Sequence, residues 1–234
     1  MKPLLRLFAV CTLLLTAIAS SAADSFQGKV TLTMSSPKNQ PVDMNYSIKG
    51  SKLRLDMDAK GHQVATIMDA EKLEMIMLMA EQKMYMVMPI KKPVEQAIEK
   101  AGKESTADVE VTGKTETILG YKCNQILVKD KGTVTEVWAA EGLGMFMGLG
   151  NGGGGGGPFG GGKSAKAAKW EEALKGKGGF PLRVITRDSK GGESFKMEAT
   201  KIAPGNLPDS LFLPPAGYQK FQMPNLGDLF NKGG

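Results

Sequence analysis

The sequence predicts a mainly β protein of the α+β class, in which an antiparallel meander of about ten strands is covered by two short helices. From Phe26 onward, apolar and polar residues alternate with a period of two, which is typical of strands with one buried and one solvated face. Connections as short as 130–132 and 188–192 favour antiparallel neighbours, because a parallel crossover needs about a dozen residues or more. Two amphipathic segments are too short to be stable helices alone in water, so each is expected to lie against the sheet.

Alternation predicts the individual strands in chain order. In the first of them, Val30 and Leu32 alternate with the polar Thr31. The turn sequence Lys-Gly-Ser at 49–51 separates two such segments and predicts a hairpin. The predicted strands span 26–34, 42–48, 53–57, 62–69, 72–79, 83–88, 109–117, 121–128, 133–139, 180–187 and 193–202.

The two helices are predicted from apolar spacing and from the residues at their ends. The range 93–102 opens with a proline and closes with a glycine, which suit the first helical position and the C-terminal cap. The range 164–175 opens with a serine, a good N-cap residue, and carries Trp170 and Leu174 one turn apart. Both helices are expected to cover the apolar face of the sheet.

Residues 1–23 have the layout of a cleavable signal peptide. Lys2 and Arg6 precede an apolar run of 13 residues at 7–19, and small residues follow at 20–23. The run is shorter than the ~20 residues that a helix needs to span a bilayer. We therefore expect an exported protein, periplasmic or secreted, that is at most peripheral to the membrane.

The remaining 211 residues suffice for a single domain, expected at 24–220 and followed by a flexible tail at 221–234. Glycine is concentrated in one part of the chain: 16 of the 30 glycines lie within 142–179, and 152–157 is an unbroken run. Glycines have no side chains to offset the entropy of ordering. We therefore predict a flexible glycine-rich insertion at 142–165.

Residues 157–164 match the pattern of a phosphate-binding loop, G-x-x-x-x-G-K-S. Such a loop has to be held by a hydrophobic strand before it, whereas here the preceding residues are glycines. A glycine run beside Lys163 and Ser164 produces the pattern by chance. The sequence therefore predicts no nucleotide and no other cofactor.

Few residues are suited to catalysis or to metal binding by nitrogen and thiolate. His62 is the only histidine, and Cys123 is the only cysteine outside the signal peptide. His62 follows a Lys-Gly pair and is expected in a solvated turn, while Cys123 lies in a predicted strand and is expected to be a buried, inert thiol. We predict a protein that is not an enzyme, with no catalytic residue and no metal site.

Charge and aromatic content give no indication of a nucleic-acid partner. The net charge is +6, and removing Lys2 and Arg6 with the signal peptide lowers it to +4. Such a mild excess indicates no particular anionic partner. Trp138, Trp170 and the basic residues do not combine into an aromatic and basic surface.

Methionine forms the most distinctive pattern in the chain. Two trios occupy alternate positions on adjacent predicted strands joined by 80–83, so each trio points to one side of its strand and the trios are placed to face each other. The residues between them are also apolar, which indicates a hairpin buried on both sides. Three interpretations stay open: ordinary core, an adaptable lining for a hydrophobic ligand, and a Cu(I) site of soft thioethers. The candidate ligand-binding residues are Met75, Met77, Met79, Met84, Met86, Met88 and Trp170.

Several segments carry a family resemblance: 120–123 (Gly-Tyr-Lys-Cys), 136–138 (Glu-Val-Trp), 179–182 (Gly-Phe-Pro-Leu), 207–212 (Leu-Pro-Asp-Ser-Leu-Phe) and 214–218. In these segments the sequence resembles a family of exported bacterial proteins of unassigned function. That family is in turn similar to periplasmic lipoprotein carriers and to their outer-membrane lipoprotein acceptors. The resemblance implies a strongly curved antiparallel half-barrel whose concave apolar face is covered by helices and holds acyl chains.

The sequence thus leads to the hypothesis of a non-catalytic exported protein that binds an apolar ligand, such as a lipid or lipoprotein acyl chain, in a half-barrel groove. The helices are expected to act as a lid, with Trp170 between helix and sheet. Two alternatives remain: a copper- or metal-handling protein that uses the methionine hairpin, and a structural or interaction protein of the cell envelope.

Overall fold

The computed structural model describes residues 26–37, 39–59, 62–90, 107–144, 146, 170–171, 174 and 179–221. Within these residues, twelve strands form one open sheet. The strands are β1 (Gln27–Ser36), β2 (Asn39–Lys49), β3 (Lys52–Ala59), β4 (His62–Asp69), β5 (Glu74–Met79), β6 (Met84–Pro89), β7 (Asp108–Ile118), β8 (Tyr121–Asp130), β9 (Thr133–Ala140), β10 (Phe180–Arg187), β11 (Glu193–Pro204) and β12 (Gln219–Lys220). The predicted mainly β fold is confirmed, with twelve strands in place of about ten. The two residues of β12 are too few to produce a visible alternation.

The sheet consists of two meanders joined at the centre. Its order is β12-β6-β5-β4-β3-β2-β1-β11-β10-β9-β8-β7. β1 to β6 run outward to one edge, whereas β7 begins at the other edge and β8 to β11 return to the centre. There β11 pairs with β1, so that Val30 lies opposite Ile202. Among the described strands every pair is antiparallel except β12 with β6.

Tight turns account for the antiparallel pairing of sequential strands. Leu119 and Gly120 connect β7 to β8 with φ values of 49° and 87°, and Lys131 and Gly132 connect β8 to β9 with 47° and 78°. Two consecutive positive φ values are the mark of a type I′ turn, whose twist matches that of the flanking strands. The turn predicted at 130–132 is therefore confirmed.

One face of the sheet, here called the core face, carries the main hydrophobic core. Directly opposed residues in antiparallel strands lie on the same face, so the register defines this face across β1 to β6. One such row consists of Val30, Tyr46, Leu55, Thr66, Met77 and Met86. Val30 and Tyr46, near the centre of the sheet, are fully buried.

The opposite face of β4 to β6 is covered by the chain after β11, residues 205–221, here called the C-terminal strap. Its 3-10 helix, Asp209–Phe212, brings Phe212 against a second buried cluster that includes Ile67 and Leu78. The strap ends as β12, which adds a short parallel strand to the edge of β6. On this face the hairpin of β5 and β6 is therefore packed by a largely irregular segment.

Polar contacts fix the strap to β2 and β3. The Lys49 ammonium donates to the Leu207 carbonyl at 2.9 Å and pairs with the Asp209 carboxylate at 2.9 Å. This hydrogen bond from Lys49 lowers the pKa of Asp209. Arg54 donates to the Leu211 carbonyl at 3.1 Å. Residues 207–212, one of the segments that carry the family resemblance, therefore lie in the strap that packs on the outer side of β2 to β6.

The two predicted helices have different outcomes. The range 93–102 lies outside the described residues. Within the range 164–175, Trp170, Glu171 and Leu174 are helical, and the other residues of that range lie outside the described part of the chain. The expected pair of covering helices is therefore not established, and the cover that the structure does define on the outer face is the C-terminal strap.

Candidate functional site

The six methionines of the hairpin, here called the methionine array, form three pairs across β5 and β6. The register places Met75 opposite Met88, Met77 opposite Met86, and Met79 opposite Met84. All six lie on the core face, because Met77 and Met86 continue the row that begins at Val30. The predicted hairpin with facing methionine trios is confirmed.

Burial decreases across the core face toward the methionine array. Met44 on β2 is fully buried and Met57 on β3 is 5% exposed, whereas all members of the array except Met75 are half-buried. The array is therefore the part of the core face, among the described residues, where a long run of apolar side chains is only partly covered.

The C-terminal strap covers part of the other side of the same hairpin. Leu78 is 4% exposed and packs in the second cluster with Phe212 of the strap, and Ile76 packs against that cluster. Ile76, Tyr85 and Val87 remain half-buried on this side. The strap therefore supports the hairpin from behind the methionine pairs.

Trp170 lies in an aromatic cluster over β2 and β10. Its ring centroid is 5.7 Å from that of Phe146, which in turn lies 5.7 Å from Tyr46 and 5.6 Å from Phe180. Tyr46 and Phe180 meet edge to face at 5.4 Å. Trp170 is 4% exposed, so its indole is enclosed between the helical segment and the sheet.

The structure therefore divides the predicted site residues into two groups on one face. Trp170 lies with residues of β2, and the methionine array begins at β5, three strands away. Adjacent strands are about 4.8 Å apart, which puts about 14 Å between the two groups. Phe146 was not identified from the sequence as a member of this face, because it lies in the glycine-rich range without any periodic pattern around it.

A buried acid and a buried phenol accompany the aromatic cluster. Glu171, next to Trp170, is 3% exposed, and Tyr46 is fully buried. Burial raises the pKa of Tyr46 far above its usual range, and the negative charge of Glu171 raises it further. Tyr46 therefore stays a neutral phenol and acts as part of the packing.

Cys123 has the properties of an inert thiol, as predicted. It is fully buried, and its Sγ donates to the Tyr121 carbonyl at 3.5 Å. Burial raises the pKa of Cys123 and outweighs the hydrogen bond with the backbone of Ile118, which lowers it. A thiol with a raised pKa holds little of the thiolate that nucleophilic chemistry requires.

The strongest charge cluster lies on β7, β10 and β11 and is internally paired. Arg183 donates to Glu116 at 2.8 Å and to Glu198 at 2.7 Å, and Lys196 also pairs with Glu198 at 2.7 Å. Burial favours the neutral form of Glu198, but the hydrogen bonds from Lys196 and Arg183 outweigh it and lower the pKa. Arg183 and Glu198 are therefore held in their charged forms, and their hydrogen bonds connect β7, β10 and β11.

No group of three or more His, Cys, Asp or Glu residues that is able to hold a metal ion occurs in the described part of the chain. His62 is the first residue of β4. No helix within the described ranges combines the length and apolar character needed to cross a membrane.

A family model described as a domain of unknown function (DUF4412) matches residues 26–218. No curated protein matches the chain. Among solved structures, an uncharacterised conserved protein from Thermus thermophilus is 10% identical over 85% of this chain and 91% of its own, with a TM-score of 0.48.

Two further solved structures are similar at comparably low identity. The structure of the MucA/MucB complex of Pseudomonas aeruginosa is 11% identical in sequence, with a TM-score of 0.44. The match covers 83% of this chain and 57% of that chain. A LolA superfamily protein from Nitrosomonas europaea is 12% identical in sequence, with a TM-score of 0.32. The match covers 82% of this chain and 91% of that chain. At these identities and TM-scores, what the neighbours bind does not carry over to this chain.

Proposed function

We infer that this chain, which belongs to the DUF4412 family of unknown function, is a non-catalytic exported protein that binds an apolar ligand, such as a lipid or lipoprotein acyl chain, in the groove of a half-barrel. One observation carries the proposal. The core face is continuous from its fully buried centre to the half-buried methionine array, so an apolar ligand on the array extends an existing core.

The chemistry of the array favours a ligand of variable shape. Methionine is unbranched and has three rotatable bonds, so a surface of methionines adapts to different apolar groups. Each methylene removed from water contributes about 0.8 kcal/mol before the costs of association are subtracted. A long acyl chain therefore gains enough from burial on this surface to bind without any charged contact.

An acyl chain also accounts for the two groups of candidate residues. About 14 Å separates the array from the Trp170 cluster, and an extended long acyl chain spans that distance. We propose that one end of the ligand lies on the methionine array and that the other reaches Trp170 when the helical segment moves off the residues of β2 and β3 that are otherwise buried. In this arrangement the helical segment that carries Trp170 acts as a lid.

The export part of the proposal rests on the sequence of residues 1–23. The charged start, the apolar run and the small residues before Asp24 are those of a cleaved signal peptide. The ligand would then be met in the periplasm or outside the cell, at or near the cell envelope. Lipids and lipoproteins are the acyl-bearing molecules of that location.

A titration with an environment-sensitive fatty-acyl probe tests the proposal. We expect saturable binding, with a shift of tryptophan emission that survives Trp138→Phe and disappears in Trp170→Phe. Trp138 is a suitable control, because its indole donates to Glu136 at 2.6 Å and has no ring contact with the aromatic cluster of Trp170 among the described residues. Met77→Ala with Met86→Ala is expected to weaken probe binding by about tenfold or more, since several buried methylene-sized groups are lost from the surface.

A second methionine pair provides a matched control for stability. Met34 on β1 lies directly opposite Met197 on β11, away from the array, and Met197 is fully buried. Truncating this pair to Ala is expected to cost at least as much stability as truncating the array pair, about 2–5 kcal/mol for the fully buried Met197, because Met77 and Met86 are only half-buried. Probe affinity is compared only among variants that are folded at the assay temperature. Equal probe affinity in the two double variants would contradict the groove.

A further inference from the structure

The methionine array has a feature that apolar binding does not require: its sulfurs are arranged as a ladder of opposed pairs. Met75–Met88, Met77–Met86 and Met79–Met84 are three consecutive same-face pairs of one hairpin. Directly opposed residues in an antiparallel pair have Cβ atoms about 4.5–5.5 Å apart. The flexible methionine side chains are thus anchored close enough for the thioether sulfurs of two neighbouring pairs to converge on one point.

Thioether sulfur is a soft, uncharged ligand that selects soft metal ions, Cu(I) among them. The harder ions have no comparable set of ligands nearby, because no cluster of three His, Cys, Asp or Glu residues occurs in the described ranges. Five of the six side chains are also only half-buried, in contrast to the buried centre of the core face: Met77, Met79, Met84, Met86 and Met88.

We propose that the methionine array is a Cu(I)-binding site, formed by two neighbouring cross-strand pairs of thioethers. The proposal goes beyond apolar binding, because it depends on sulfur and not on hydrophobicity. The hairpin that carries the ligand set is supported from its other face, where Leu78 packs under the C-terminal strap with Phe212.

One pair is common to every site of two neighbouring pairs on the hairpin. Such a site consists of Met77–Met86 together with either Met75–Met88 or Met79–Met84. Replacing Met77 and Met86 therefore leaves two separated pairs and, beside Met75, the single thioether of Met68 on β4.

The test is a competition titration with Cu(I) itself, under reducing and anaerobic conditions, against a coloured Cu(I) chelator. We expect the purified protein to take Cu(I) from the chelator, and Met77→Leu with Met86→Leu to lower the affinity by about tenfold or more. Leucine keeps the volume and apolarity of methionine, and such swaps usually cost less than about 1.5 kcal/mol, so the fold is preserved. Thermal unfolding of each variant checks this directly.

The matched control replaces the second methionine pair, which lies away from the array, by Met34→Leu with Met197→Leu, and is expected to leave the Cu(I) affinity unchanged. The site is overturned if the protein fails to compete for Cu(I), if the central-pair variant binds Cu(I) as tightly as the natural chain, or if both double variants lose affinity equally. The same central-pair variant separates this proposal from the acyl groove. Because leucine removes sulfur and keeps apolarity, it should lose Cu(I) and still bind the fatty-acyl probe.

Discussion

Phe180→Ala is expected to lower the free energy of unfolding by about 3–5 kcal/mol, the range for truncating a buried phenylalanine. Phe180 is fully buried, and its ring meets both Tyr46 and Phe146 edge to face. The substitution leaves a cavity at the point where the central strands contact the helical segment of Trp170. Urea denaturation followed by circular dichroism measures the change.

Phe221→Ala is the matched control for this loss, because Phe221 is 40% exposed. Its truncation is expected to change stability by less than about 1 kcal/mol. If Phe180→Ala also lowers the free energy of unfolding by less than about 1 kcal/mol, the aromatic cluster over β2 and β10 does not contribute to stability as expected.

Phe212→Ala is expected to cost about 3 kcal/mol or more, and to loosen the C-terminal strap along its length. Phe212 is 4% exposed and fills the cluster behind the methionine hairpin. Beyond it the strap is tied to the sheet edge by backbone bonds from Gln219 to Lys83 at 2.9 Å and from Phe221 to Tyr85 at 2.7 Å. Loss of the Phe212 anchor should therefore accelerate hydrogen exchange at the amides of Gln219 and Phe221.

The neighbouring Leu213 is the control, since it is 50% exposed and Leu213→Ala removes little buried surface. It should leave both stability and exchange nearly unchanged. If Phe212→Ala behaved like Leu213→Ala, the strap would be a loosely attached segment, and the hairpin would not depend on it for support.

Strand positions were predictable from the sequence because the signal is local. In a strand with one buried face, apolar and polar residues have to alternate. The alternation from Val30 through Leu32 is visible in the sequence without knowledge of the strand that pairs with it. The sheet order was not predictable in this way. The pairing of β1 with β11 brings Val30 opposite Ile202, and alternation specifies a face but no partner across so long a separation.

In the candidate site, too, only the local arrangement was predictable. The four-residue connection 80–83 is short enough to fix the hairpin, so the sequence spacing already indicated that Met77 and Met86 face each other. The contact of Trp170 with Phe146 was not predictable, because no periodic pattern in the sequence links the two positions. Membership in a family of unknown function was also predicted correctly, from short segments such as 207–212 whose structural role, the strap, has no periodic signature.

The proposed apolar ligand on the core face can be detected by its mass. Native mass spectrometry of the mature protein purified from its own host is expected to show a lipid-sized adduct that is released by mild activation. The adduct should be retained in Met77→Leu with Met86→Leu and in Met34→Ala with Met197→Ala, and lost in Met77→Ala with Met86→Ala. A folded protein that shows only the mass of its bare chain, or an adduct that Met77→Ala with Met86→Ala leaves in place, would contradict ligand binding on the core face.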